Sequence, residues 1–238
     1  MIFNAAVAEQ REGLFNYLQE KQFKRVLDVG GAMFPWARKY VTHYLDIINP
    51  HEYITGELND DFLKRASFLY GNINEAHGWK SVLEDCQKNG KFDFAICSHT
   101  LEDIRNPILA IKVLPLVARE GFIAIPHKYR ELSYIEGHSP ETQMEWGLNK
   151  AYIGYCHHRW IFSVFDKDEI QTLRLFPKLE FLSCVIGIQE LLKNKEIGNE
   201  LSFYWRDNIP FEIINDDYLG PNPPTVFNMY CEKLAEGI

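Results

Sequence analysis

Two carboxylates and a scatter of histidines are the residues of this 238-residue chain whose placement points to chemistry. Asp28 lies in Arg25-Val-Leu-Asp-Val-Gly30-Gly31, an acid two residues ahead of a glycine pair, and Asp46 follows eighteen residues later in Tyr-Leu-Asp-Ile. An acid at Asp46, ending the second strand, suits the two hydroxyls of a ribose. At Asp28 it suits a ligand that carries an amino group better than one that carries phosphates. A dinucleotide fingerprint would read G-x-G-x-x-G, so that bare backbone can approach a pyrophosphate. Here Gly30 is followed by Gly31, Ala32, Met33, Phe34 and Pro35, and bulk stands where that fingerprint is open. This disfavours a nicotinamide-dependent oxidoreductase. Near neutral pH histidine is the natural base, and His99, His127, His157 and His158 are the candidates.

Those residues need a scaffold that delivers them to one edge. Val26, Leu27 and Val29 form a short continuous apolar run around Asp28, as a strand of a buried parallel sheet requires. An amphipathic helix is expected over Ala5 to Lys21. Pro35 opens a short helix through Tyr40, and Val41 to Ile48 returns as the second strand. Asp60 to Ala66 reads as helix and Ser67 to Tyr70 as the third strand, ending in Gly71-Asn72-Ile73-Asn74. A helix over Trp79 to Lys88 precedes the fourth strand, FDFAICS, which stops at Ser98-His99-Thr100-Leu101-Glu102-Asp103. The apolar helix Ile108 to Val117 leads to a fifth strand, Gly121 to Pro126, with His127 at its carboxyl edge. Beyond it, about 127–165 is longer than an ordinary loop and rich in aromatic, basic and histidine residues. Ser163, Asp166 and Asp168 offer caps for a helix to Phe176, with Pro177 as its stop. Leu179 to Ile188 reads as a strand, 189–224 as a polar insertion, and Thr225 to Glu232 as the last strand.

VLDVGGA, YLDI, GNIN, FDFAICSHTLED and EGFIAIP, in that order, resemble the class I S-adenosylmethionine-dependent methyltransferases. The family's first motif is acid-x-Gly-x-Gly-x-Gly. This chain keeps Asp28 and Gly30 but has Ala32 and Phe34 in place of the second and third glycines, and Ala32 fits only with a negative φ. The resemblance implies an α/β fold with a seven-stranded, mostly parallel Rossmann-like sheet, order 3-2-1-4-5-7-6. Helices would cover both faces, with insertions after strands five and six. It implies one domain over 1–238, with acceptor or lid insertions at about 127–165 and 189–224. S-adenosyl-L-methionine would be the cofactor, held by Asp28, Gly30, Gly31, Asp46, Asn72, Ile73 and Ser98. Asn72 would contact the adenine, with a purely structural turn as the equal alternative.

Methyl transfer to O or N of a small polar acceptor is the activity the resemblance implies. A sugar or surface-polysaccharide precursor suits the basic, aromatic insertion. His127 and His158 come before His99 as base, because the acceptor should enter above strands four and five; each alone also reads as a structural residue. A divalent metal is not favoured. Glu102, Asp103, His127, His157 and His158 offer ligand types but no diagnostic spacing. A non-catalytic nucleotide-binding or scaffold protein on the same fold is the alternative.

Composition narrows the partners. A net charge of −8 argues against nucleic acid as the main ligand. No apolar run approaches membrane-spanning length, so no membrane partner and a cytoplasmic protein are expected. Five scattered cysteines without a C-x-x-C pair support neither a zinc ribbon nor a disulfide framework. Aromatic residues make up 14% of the chain, and those after residue 129 line either an acceptor pocket or a homodimer contact.

Overall fold

The structure, a computed structural model, describes residues 9–48, 64–131, 155, 157–178 and 200–214. The chain divides into two compact units, 1–125 with 202–209 and 126–201 with 210–238. Among the described residues no helix is long and apolar enough to cross a membrane.

The first unit is built on a sheet ordered β3-β2-β1-β4-β5-β8. Its strands are β1 Val26–Val29, β2 His43–Asp46, β3 Ser67–Tyr70, β4 Phe92–Ser98, β5 Ala118–Pro126 and β8 Glu200–Arg206. β1 pairs in parallel with β2 and β4, β2 with β3, and β4 with β5. The chain therefore starts in the middle, runs outward to β3, and returns on the other side of β1. That reversal opens a crevice at the carboxyl ends of β1 and β4. All of β1 is buried because it has a strand on each side and cover above it. Leu14 and Leu18 of α1, Glu9–Lys21, join Val26, Tyr44, Phe94 and Phe122 in one core cluster. α2 spans Lys80–Asn89, and α3 spans Pro107–Val117. Asn106 caps α3, its Oδ1 accepting from the Leu109 amide at 3.2 Å.

Three local expectations are corrected. No helix follows Pro35; 36–40 is a run of turns in which Arg38 N–H donates to Pro35 and Tyr40 N–H to Ala37. So few residues before β2 do not repay helix nucleation. β2 ends at Asp46 rather than Ile48, because the Asp46 carboxylate accepts from the Ile48 amide at 3.0 Å and turns the chain. Finally, 200–206, read as part of a polar insertion, is a strand beside β5. Leu201, Phe203 and Trp205 alternate along it and are buried. The strands expected over Leu179 to Ile188 and Thr225 to Glu232 lie outside the described residues.

In the second unit, β6 Trp160–Lys167 and β7 Ile170–Pro177 form an antiparallel hairpin, and β9 Phe211–Ile213 pairs in parallel with β7. The helix expected over Asp166 to Phe176 is thus overturned. The two arms pair residue by residue from Trp160 with Pro177 to Lys167 with Ile170, and Asp168 and Glu169 take φ of 51° and 64°, the left-handed pair of a two-residue hairpin turn. Glu169 has a Cβ where that turn favours glycine. Glu169→Gly is therefore expected to stabilise the hairpin by about 0.5–1 kcal/mol, read as a higher denaturant midpoint with unchanged slope. Arg174, in the middle of β7, is buried; its Nε donates to Glu212 Oε1 at 2.5 Å and its guanidinium lies 3.7 Å from the Phe165 ring centre.

Candidate functional site

The crevice of the first unit is shaped by the turn after β1. Gly30 takes φ +82°, and a Cβ there would lie 2.4 Å from Thr100 Cγ2, so glycine is needed on both counts. Its amide donates to the Leu45 carbonyl at 2.9 Å. Ala32 does not take a positive φ, which is why alanine can stand where the resemblance puts a glycine. The Ala32 amide donates to Asp46 Oδ2 at 3.1 Å. With the Ile48 bond, Asp46 ties the glycine turn to the end of β2 through both carboxylate oxygens.

Asp28 lies under this turn, fully buried, with neither oxygen hydrogen-bonded among the described residues. Gly31 packs so closely on it that a Cβ would fall 2.3 Å from Oδ1. Burial, and then the negative charge of Asp46, push the Asp28 carboxyl up to about 8.

The other strand ends complete the wall. Gly71 N–H donates to the Asp46 carbonyl at 3.0 Å, and Trp79 Nε1 donates to the Ile73 carbonyl at 3.1 Å, fixing the turn after β3. Asn72 Oδ1 accepts from both the backbone amide and the side-chain amide of Asn74, each at 3.1 Å. Its carbonyl is spent on that turn, so its remaining capacity is as a donor. Asn74 Oδ1 in turn accepts from the Asn106 amide at 3.0 Å, joining this turn to the start of α3. His99 takes φ +50°, donates its backbone N–H to Ala124 at 2.8 Å, and holds Nδ1 3.3 Å from Glu102 Oε1.

These turns enclose a cavity of about 290 Å³. Of the residues singled out in the sequence, Gly30, Asp46, Asn72, Ile73 and His99 line it; Asp28, Gly31 and Ser98 do not reach its walls. Met33, Phe34 and Ile47, which sequence reasoning did not select, line it while 42%, 74% and 54% exposed. The departure from the glycine pattern at Phe34 was the only sign of them. Asp103 lines it too, whereas no lysine or arginine does among the described residues.

The remaining candidates belong to the second unit. His127 is half-buried, and burial together with the charge of Lys128 lowers it to about 4, so the ring is neutral at pH 7. His158 is buried with Nδ1 2.5 Å from Glu131 Oε1, and Glu131 Oε2 receives Lys178 Nζ at 2.5 Å. Lys178 Nζ also donates to the Tyr155 carbonyl at 2.5 Å. A buried histidine, carboxylate and ammonium thus connect α4, Lys128–Glu131, to the end of β7. Burial works to raise Glu131, but the His158 hydrogen bond and the Lys178 charge outweigh it and hold the carboxyl below its usual range. Of the five metal-ligand candidates, Glu102 and Asp103 lie in the first unit and His127, His157 and His158 in the second.

No family model matches the chain, and no curated protein matches it. Among solved structures it is similar to the methyltransferase domain of bacterial CtHen1-C, at 11% identity and TM-score 0.42, over 85% of this chain and 98% of that one. It is also similar to a protein of Galdieria sulphuraria assigned as a sarcosine dimethylglycine methyltransferase, at 13% identity and TM-score 0.41, over 84% and 85%. A third is the S-adenosylmethionine-dependent methyltransferase of Mesorhizobium loti, at 12% identity and TM-score 0.38, over 76% and 90%. These likenesses are remote, and the chemistry of the site rests on this chain's own residues.

Proposed function

We propose that this chain is an S-adenosylmethionine-dependent methyltransferase acting on O or N of a small polar acceptor. The observation that carries the reading is the charge of the cavity. Asp46 and Asp103 stand in its wall without a lysine or arginine among the described residues. A sulfonium nucleoside brings positive charge to those carboxylates, whereas a dinucleotide would bring a pyrophosphate against them.

When bound, the donor supplies an activated methyl group on a positively charged sulfur. The chain's own part is to hold, orient and deprotonate. Asp46 would accept from the ribose hydroxyls, and the Gly30 turn offers close backbone. Ile73 would lie against the purine, and Asn72 would donate its amide N–H to a ring nitrogen, its carbonyl being engaged. Among the candidate bases, His99 lines the described cavity. His127 is neutral and so able to accept a proton. The Glu131 contact favours the Nδ1–H form of His158, leaving Nε2 as the basic nitrogen. A sugar or surface-polysaccharide precursor as acceptor, the acceptor role of 127–165 and of 189–224 outside the sheet strand β8, within one domain, a homodimer and a cytoplasmic location belong to the same proposal.

Calorimetry with S-adenosylhomocysteine and with NAD tests the reading. Micromolar binding of the first and none of the second is expected. Binding of neither, or a preference for NAD, overturns it. Binding without methyl transfer to any member of a panel of sugars, sugar phosphates and amines would favour a non-catalytic nucleotide-binding protein.

A further inference from the structure

Asp28 has a use that the methyl-transfer reading alone does not give it. A buried carboxylate with no hydrogen bond and no cation is costly, and the usual relief is to keep its proton. Among the described residues, the groups that face Asp28 offer no other relief. From β2 come Asp46 and the Tyr44 phenol, Tyr44 being its register partner. From β4 the register partner is the apolar Ile96, and the charge of Asp28 also reaches the buried Cys97 thiol. Above lies Gly31, which has no side chain to contribute. Each titratable group in this set is an acid, and the charge of Asp46 repels a second negative charge.

Asp46 also lines the cavity, as does Gly30, two residues from Asp28. A cation held against Asp46 would cancel that repulsion, and charge acts strongly in a low-dielectric surrounding. We propose that Asp28 is uncharged while the cavity holds no cation and gives up its proton when a cationic ligand settles against Asp46, so that ligand uptake and proton release are one linked event. The step balances: the O–H bond of the carboxyl breaks, the electron pair stays on oxygen, and the proton passes to the buffer. The inference rests on the reading of the cavity as a sulfonium-nucleoside site.

The linkage has a direction. While the free carboxyl is protonated, binding must displace the proton, so affinity rises with pH by up to about tenfold per unit and levels off above about pH 8.

Calorimetry of S-adenosylmethionine at pH 7, in buffers of different ionisation enthalpy, counts the protons released. The wild type should release more protons per ligand than Asp28→Asn, since the ligand's own titration is common to both. S-adenosylhomocysteine, without the sulfonium charge, should release less. Equal counts in wild type and Asp28→Asn would overturn the inference while leaving the methyltransferase reading intact; no binding of either ligand would overturn that reading instead. A second measurement needs no ligand. The infrared band of a protonated carboxyl should be present at pH 7, fade as pH rises past about 8, and be missing from Asp28→Asn. A wild-type spectrum without that band at pH 7 also overturns the proposal.

Discussion

Asp46→Ala is expected to weaken binding of S-adenosylhomocysteine about a hundredfold while leaving the protein folded. The carboxylate holds the Ala32 amide at 3.1 Å and the Ile48 amide at 3.0 Å, and so fixes two turns of the cavity wall. In the proposed complex it also accepts from the ribose. Hydrogen bonds to a charged group are worth roughly 1.5–3 kcal/mol each, and losing about 3 kcal/mol corresponds to about two decades in Kd. The change should also lower stability, because the Ala32 and Ile48 amides lose their acceptor. Asp46→Asn, which keeps one acceptor oxygen, should fall between the two. Undiminished binding by Asp46→Ala would remove this carboxylate from the site, and the sulfonium reading would lose its main support.

Glu131→Gln should produce the largest loss of stability. Glu131 and Lys178 are 1% and 3% exposed, and the carboxylate is shared between Lys178 Nζ and His158 Nδ1. Removing its charge leaves an ammonium buried beside a neutral amide. Breaking a buried pair in this way costs about 3–5 kcal/mol. Denaturant unfolding followed through amide exchange in β6 and β7 should show the loss in the second unit, with β1 and β4 of the first unaffected. The pH dependence has a definite sign. Because the folded carboxyl is held below its ordinary value of 4.5, the stability from Glu131 is fully present above that value and lost as pH falls through the lower folded one. Glu131→Gln should therefore flatten the acid limb of the stability curve. An unchanged acid limb would mean that the cluster contributes nothing to stability.

How far the chain was legible from its residues varies with the range of the forces involved. β1, β3 and β4 have the expected bounds. Each is a short apolar run closed by a turn signal; β1 and β4 are buried between neighbouring strands, and β3 pairs with β2 at the edge of the described sheet. The strand at 200–206 was missed because Glu200, Ser202 and Arg206 sit among its apolar residues and were read as polarity, although Glu200 and Ser202 are buried with them. The segment 166–176 was misread because Ser163, Asp166 and Asp168 resemble helix caps. Pairing with β6 and β9 outweighs a local propensity worth only tenths of a kcal/mol per residue.

The site divides in the same way. Sequence by itself determined which strand ends carry Gly30, Asp46, Asn72, Ile73 and His99, because in a parallel sheet successive carboxyl ends fall on one edge. Only the tertiary structure decided that Asp28 is sealed under the turn, that the Asn72 carbonyl is taken by Asn74, and that Met33, Phe34 and Ile47 form cavity wall. It alone brought Glu131, His158 and Lys178 together, from positions 27 and 20 residues apart. Strand order follows from patterns a few residues long. Solvation and pairing of a charged group depend on what the whole chain packs around it, and no local pattern encodes that.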